Sequence, residues 1–91
     1  MKIYIVGAVT GIEDWEEKFI AHKRKLKRRG HEVRTPVDYP YGKTQKEYMV
    51  LSCESVFWAD QIEVTENWEN SKGTRAEIAL AECFDLPIIY L

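Results

Sequence analysis

The 91-residue chain has the length of a single domain, and its 45% hydrophobic and 31% charged residues are ordinary for a globular protein. A formal net charge of −2 argues against a general DNA- or RNA-binding role. No apolar run approaches the ~20 residues of a membrane span, and the N-terminal one is too short for a signal peptide, so a cytoplasmic protein without a membrane partner is expected.

Residues 2–6 (Lys-Ile-Tyr-Ile-Val) are short, β-branched and aromatic, and predict a buried strand ended by Gly7. Thr10-Gly11 marks a turn. Residues 13–29 predict a helix with Trp15, Phe19 and Leu26 on one face, stopped by Gly30. Its basic run, residues 23–29, complements the negative end of the helix dipole and reads as a solvated face. Residues 31–35 predict a second strand, closed by Pro36, and residues 38–42 a loop. Residues 44–58 predict a second helix that opens on a capping box, Thr44 with Glu47, and carries Tyr48, Leu51, Ser55 and Trp58 near one face. Residues 61–65 alternate polar and apolar, as in a less buried strand; residues 66–71 form a polar loop carrying Trp68. A third helix over 74–84 and an apolar strand over 86–91 complete the pattern.

The order β-α-β-α-β-α-β predicts an α/β fold: a three-layer, parallel four-stranded sheet of flavodoxin/Rossmann-like type, with right-handed crossovers and helices on both faces. In such sheets ligands bind beyond the C-terminal strand ends, where the loops 7–13, 35–43 and 66–73 converge. A domain this small buries only roughly 60–65% of its unfolded surface, so self-association into a homodimer or larger homo-oligomer is expected. Cys53 and Cys83 fall in predicted helices without metal-type spacing and read as buried free thiols. His22 and His31 have no carboxylate or second histidine at useful spacing, and no metal or cofactor site is expected.

Three segments compete for chemistry. In Gly7-Ala8-Val9-Thr10-Gly11, two glycines permit close approach of a ligand or merely a tight βα turn; the pattern is neither G-x-G-x-x-G nor a P-loop. Tyr4 sits near the strand end, either as a core residue with a bonded hydroxyl or as a phenol at the ligand edge. In Ser71-Lys72-Gly73-Thr74-Arg75-Ala76-Glu77, Thr74 and Glu77 have capping-box spacing, while Ser71 and Gly73 can supply an anion nest. Glu77 is then either a helix cap or a carboxylate beside an anion-attracting helix start. Trp68, with Tyr39 and Tyr41, either stacks on a planar base or staples its loop.

Taken together, Lys2-Ile3-Tyr4-Ile5-Val6-Gly7 with Thr10-Gly11, Gly30-His31-Glu32-Val33, Trp58-Ala59-Asp60, the run from Trp68 to Ala81, and Leu86-Pro87-Ile88-Ile89 resemble a known superfamily. It is the nucleoside 2-deoxyribosyltransferase-like superfamily, which includes nucleotide N-glycosidases; a short phage- and prophage-associated family without established function is the nearest branch. The likeness spans the chain, and the segment from Ser71 to Ala81 is its most specific part. It implies that Glu77 is a nucleophile that attacks the anomeric carbon and expels the base, as in retaining glycosidases. It implies that Tyr4 positions that carboxylate, and that residues 7–11 and 71–73 surround the sugar and its 5′-phosphate or hydroxyl. Small-molecule nucleosides or nucleotides are the implied partners, and a neighbouring subunit the implied completion of the site. One departure stands out. The superfamily's aspartate, a few residues after a Tyr-Met pair, is replaced by Ser52 after Tyr48-Met49. Serine is no general acid near neutral pH. The chain is also short for a full transferase. Three functions stay open: an enzyme that cleaves or transfers an N-glycosidic bond, a non-catalytic nucleotide binder or sponge, and a structural oligomerising module.

Overall fold

Four short strands and three helices alternate along the chain: β1 (Lys2–Val6), α1 (Trp15–Arg28), β2 (Glu32–Arg34), α2 (Gln45–Trp58), β3 (Gln61–Val64), α3 (Lys72–Cys83) and β4 (Ile88–Tyr90). The computed structural model describes every residue from Met1 to Leu91. Two 3-10 turns, Pro36–Asp38 and Trp68–Asn70, shape the loops after β2 and β3.

All pairings are parallel and the strand order is β2-β1-β3-β4. This is the expected three-layer, flavodoxin/Rossmann-like α/β fold. Alternation along β1 sends its side chains to two separate cores. Ile3 and Ile5 join Phe19, Leu26 and Val33 under α1. Tyr4 and Val6 join Val56, Ala59, Ile62, Val64, Ile78 and Ala81 under α2 and α3. Each fully buried aliphatic side chain contributes roughly 1.5–3 kcal/mol, so the central strand anchors both layers.

The helix ends follow local chemistry. α1 stops at Gly30, with φ +88°, where the Gly30 N–H donates to Lys27 O and the His31 N–H to Leu26 O. This is a Schellman closure, and it demands a left-handed residue at Gly30. α3 ends in the same way, but with Asp85 at φ 57°. α2 opens on the expected capping box: the Glu47 N–H donates to Thr44 Oγ1 (3.2 Å) and the Thr44 N–H to Glu47 Oε1 (2.9 Å).

Several expectations need correction. β3 is not half-exposed: Glu63 is only 7% exposed, because His22 Nε2 lies 2.7 Å from its Oε1 and the Gln61 amide donates to its Oε2. His22 therefore does have a carboxylate partner, far away in sequence. The buried stripe of α2 is Ser52, Ser55 and Val56, rotated from the expected Tyr48–Leu51–Ser55–Trp58 face. Cys53 and Cys83 lie off the buried stripes and are half-buried and exposed. β4 is an edge strand whose Ile89 and Tyr90 are exposed.

Candidate active site

β1 connects outward to β2 and the chain then returns across it to β3, so the direction of winding reverses between β1 and β3. A crevice opens beyond the C-terminal ends of strands at such a reversal. Here it is a cavity of about 530 Å³, within the ~300–1,000 Å³ range of small-molecule sites. The three expected loops supply its walls, and α2 and α3 close one side.

Glu77 reaches this cavity because α3 starts two residues earlier than expected. Ser71 is the N-cap, with its Oγ accepting from the Thr74 N–H at 3.2 Å. Helical residues begin at Lys72, so Glu77 lies more than a turn inside and does not reach back to cap. Thr74 is buried, not a cap. The capping-box reading of Thr74 and Glu77 is thereby replaced. Glu77 is 7% exposed, lines the cavity, and its Oε2 has no hydrogen-bond partner. An unsatisfied buried carboxylate is costly, and burial pushes its pKa from 4.5 up to about 7, with the Tyr4 hydroxyl pulling weakly the other way.

A line of hydroxyls runs behind Glu77. The Tyr39 hydroxyl donates to the Tyr4 hydroxyl at 2.9 Å and lies 2.8 Å from Ser55 Oγ. The Tyr4 hydroxyl lies 3.3 Å from Ser52 Oγ. Tyr4 is completely buried, and desolvation together with the Glu77 charge holds its pKa well above the ordinary tyrosine value. Both phenols therefore remain protonated and act as donors.

Gly7, Ala8, Thr10, Ser52, Ser71, Gly73, Thr74 and Glu77 all line the cavity. Gly7 has a steric reason to be glycine: a Cβ there would lie 1.7 Å from Thr65 Oγ1. Gly11 and Trp68 do not line it. Gly11 turns the loop at φ +77°. Trp68 is carried by its 3-10 turn towards β4, where its ring meets Tyr90 at 5.4 Å and packs on the core. Of the alternatives for Trp68, the structure shows the staple; Tyr39 and Tyr41, expected with it, do line the cavity, joined by Trp15 and Tyr48. Trp15 packs edge-on against Phe19 at 5.9 Å, as its helix face implied, and lines the cavity as well. Gln45, Tyr48, Met49 and Ser52 form a cavity stripe along α2, and their three-to-four-residue spacing was the available signal.

The arrangement is a three-layer α/β domain with one buried carboxylate at the strand-end crevice. The chain belongs to the family described as "Domain of unknown function (DUF4406)", which matches residues 1–90. No curated protein matches it. Among solved structures it is similar to a 2-deoxyribosyltransferase from Bacillus psychrosaccharolyticus, at 18% identity and a TM-score of 0.74, covering 99% of this chain and 71% of that one. It is also similar to the Clostridium botulinum CMP N-glycosidase BcmB, at 18% identity and a TM-score of 0.76, covering 99% and 70%. At this identity the likeness establishes the shared fold.

Proposed function

We propose that the protein binds a nucleoside or nucleotide in the strand-end cavity and cleaves or transfers its N-glycosidic bond, with Glu77 as nucleophile. One observation carries this reading: a buried carboxylate with an unpartnered oxygen, poised near neutral pH, lines a nucleoside-sized cavity. The fold shared with a deoxyribosyltransferase and a CMP N-glycosidase supports it. Glu77 forms a bond to the anomeric carbon as the base departs, and water or a second base resolves the glycosyl-enzyme. The Tyr4 hydroxyl favours the ionised carboxylate, and Tyr39 donates to Tyr4 from behind. The backbone N–H groups around Ser71 and Gly73 face the sugar's 5′ end.

Ser52 favours a second reading, a non-catalytic nucleotide binder of the kind a phage would encode to sequester a signal molecule. A homo-oligomer belongs to either reading and is tested by sedimentation velocity. Incubation with pooled nucleosides and nucleotides, followed by mass spectrometry, separates the two. Free base released by the wild type and not by Glu77→Gln supports the enzyme; ligand recovered intact supports the binder. Equal base release by Glu77→Gln rules out the nucleophilic role.

A further inference from the structure

Resting on that reading of Glu77, we propose that the substrates are nucleosides or nucleotides whose base is a permanently cationic ring, such as a pyridinium ribonucleoside. The reason lies in what the cavity lacks. Glu77 is its only carboxylate, and no histidine or cysteine lines it. Asp38, an acid on the loop after β2, lies outside the lining; its oxygens are held by Lys23 Nζ at 2.6 Å and the Thr35 N–H at 2.9 Å. Glu54 is exposed on α2 and also outside. His22 is occupied by Glu63 under the α1 layer. Ser52 offers a hydroxyl where an acid would help, and burial holds the Tyr39 proton more tightly than usual. The one lining ammonium, Lys72, sits exposed at the first residue of α3.

A neutral base leaves readily only if a proton reaches it, and a general acid contributes typically ~10²–10⁴-fold. A cationic ring needs none. As a Glu77 oxygen bonds to C1′, the C1′–N bond breaks and its electron pair neutralises the ring nitrogen. The base departs uncharged and no proton moves. In the second step water oxygen bonds to C1′, the C1′–O bond to Glu77 breaks with its pair returning to the carboxylate, and the water's proton goes to solvent.

The walls suit the same ligand. Trp15, Tyr39, Tyr41 and Tyr48 present π-systems, which attract planar cations. The free Glu77 oxygen supplies the countercharge, and its own burial limits screening.

The test measures base release from nicotinamide riboside and its 5′-monophosphate, against cytidine, adenosine and their 5′-monophosphates, at pH 8. Nicotinamide release is expected to have a kcat/KM at least about 100-fold above that of any neutral base, the low end of a general acid's contribution, and to vanish in Glu77→Gln. Neutral bases released as fast overturn the cationic class and leave the glycosidic reading standing. No release from any compound overturns both. Binding gives an independent readout. 1-Methylnicotinamide should bind wild type more tightly than nicotinamide at pH 8, and the difference should disappear in Glu77→Gln; equal affinity for the two rings overturns the proposal.

Discussion

Glu77 is an acid whose folded-state pKa is raised, and this fixes the sign of its effect on stability. Below pH 4.5 the carboxyl is neutral in the folded and unfolded chain alike. Between 4.5 and about 7 the folded chain holds a proton that the unfolded chain has lost, so stability falls as pH rises and the loss is complete above that window. The gap corresponds to about 3 kcal/mol. Glu77→Gln is therefore expected to be about 2 kcal/mol more stable than wild type at pH 8, a rise of roughly 10 °C in Tm, and similar to it at pH 4; thermal scans at the two pH values check this. The same titration predicts that kcat/KM for base release rises through pH about 7, since only the carboxylate is nucleophilic. At Gly7 the constraint is steric. Gly7→Ala places a Cβ 1.7 Å from Thr65 Oγ1, and an expected loss of about 3 kcal/mol should be partly recovered in Gly7→Ala/Thr65→Gly, read by urea denaturation. Local spacing left Glu77 ambiguous, because a capping box and a buried carboxylate share the same four-residue pattern. The structure separates them through Ser71, which starts the helix earlier.

At the scale of elements, periodicity and punctuation carried most of the fold. Apolar runs located β1 and β4, alternation located β3, Pro36 closed β2, Gly30 ended α1, and Thr44 with Glu47 opened α2. What stayed hidden depended on contacts distant in sequence. Glu63 looked solvent-facing because nothing nearby announces His22, and Trp68 stayed open between stacking and stapling because its partner Tyr90 belongs to the last strand. Trp15 was legible in part: it packs on the core as its helix face implied, while its place on the cavity wall depends on loops distant in sequence. The two Schellman ends offer a prediction. Gly30 adopts its left-handed conformation freely, whereas Asp85 does so with a side chain at φ 57°. Asp85→Gly is expected to raise stability by about 0.5–1 kcal/mol, measured as a higher urea midpoint at unchanged m-value. A decrease would show that the Asp85 side chain makes a compensating contribution.

At the scale of the molecule, the cavity is assembled from pieces that the sheet alone brings together. Tyr4, Tyr39, Ser52 and Glu77 come from four different elements or loops, and no helix in the chain is long and apolar enough to cross a membrane. The general position of the cavity was legible, since alternating strands and helices predict a site beyond the C-terminal strand ends, where three loops converge. Its chemistry was only partly so, because burial and an orphaned oxygen are properties of packing. The parallel topology has a further, kinetic consequence. Ile3 pairs with both Val33 and Gln61, so the central strand waits for more than half of the chain before its second neighbour arrives. Such non-local pairing makes for slow folding, on the order of milliseconds or longer for a mixed α/β domain. Stopped-flow fluorescence of the three tryptophans is expected to show that Ile62→Val slows refolding, because Ile62 joins β3 to Tyr4. Until that junction closes, Glu77 has neither its apolar surroundings nor the tyrosine beside it. The cavity and its buried carboxylate are thus all-or-none properties of the assembled sheet.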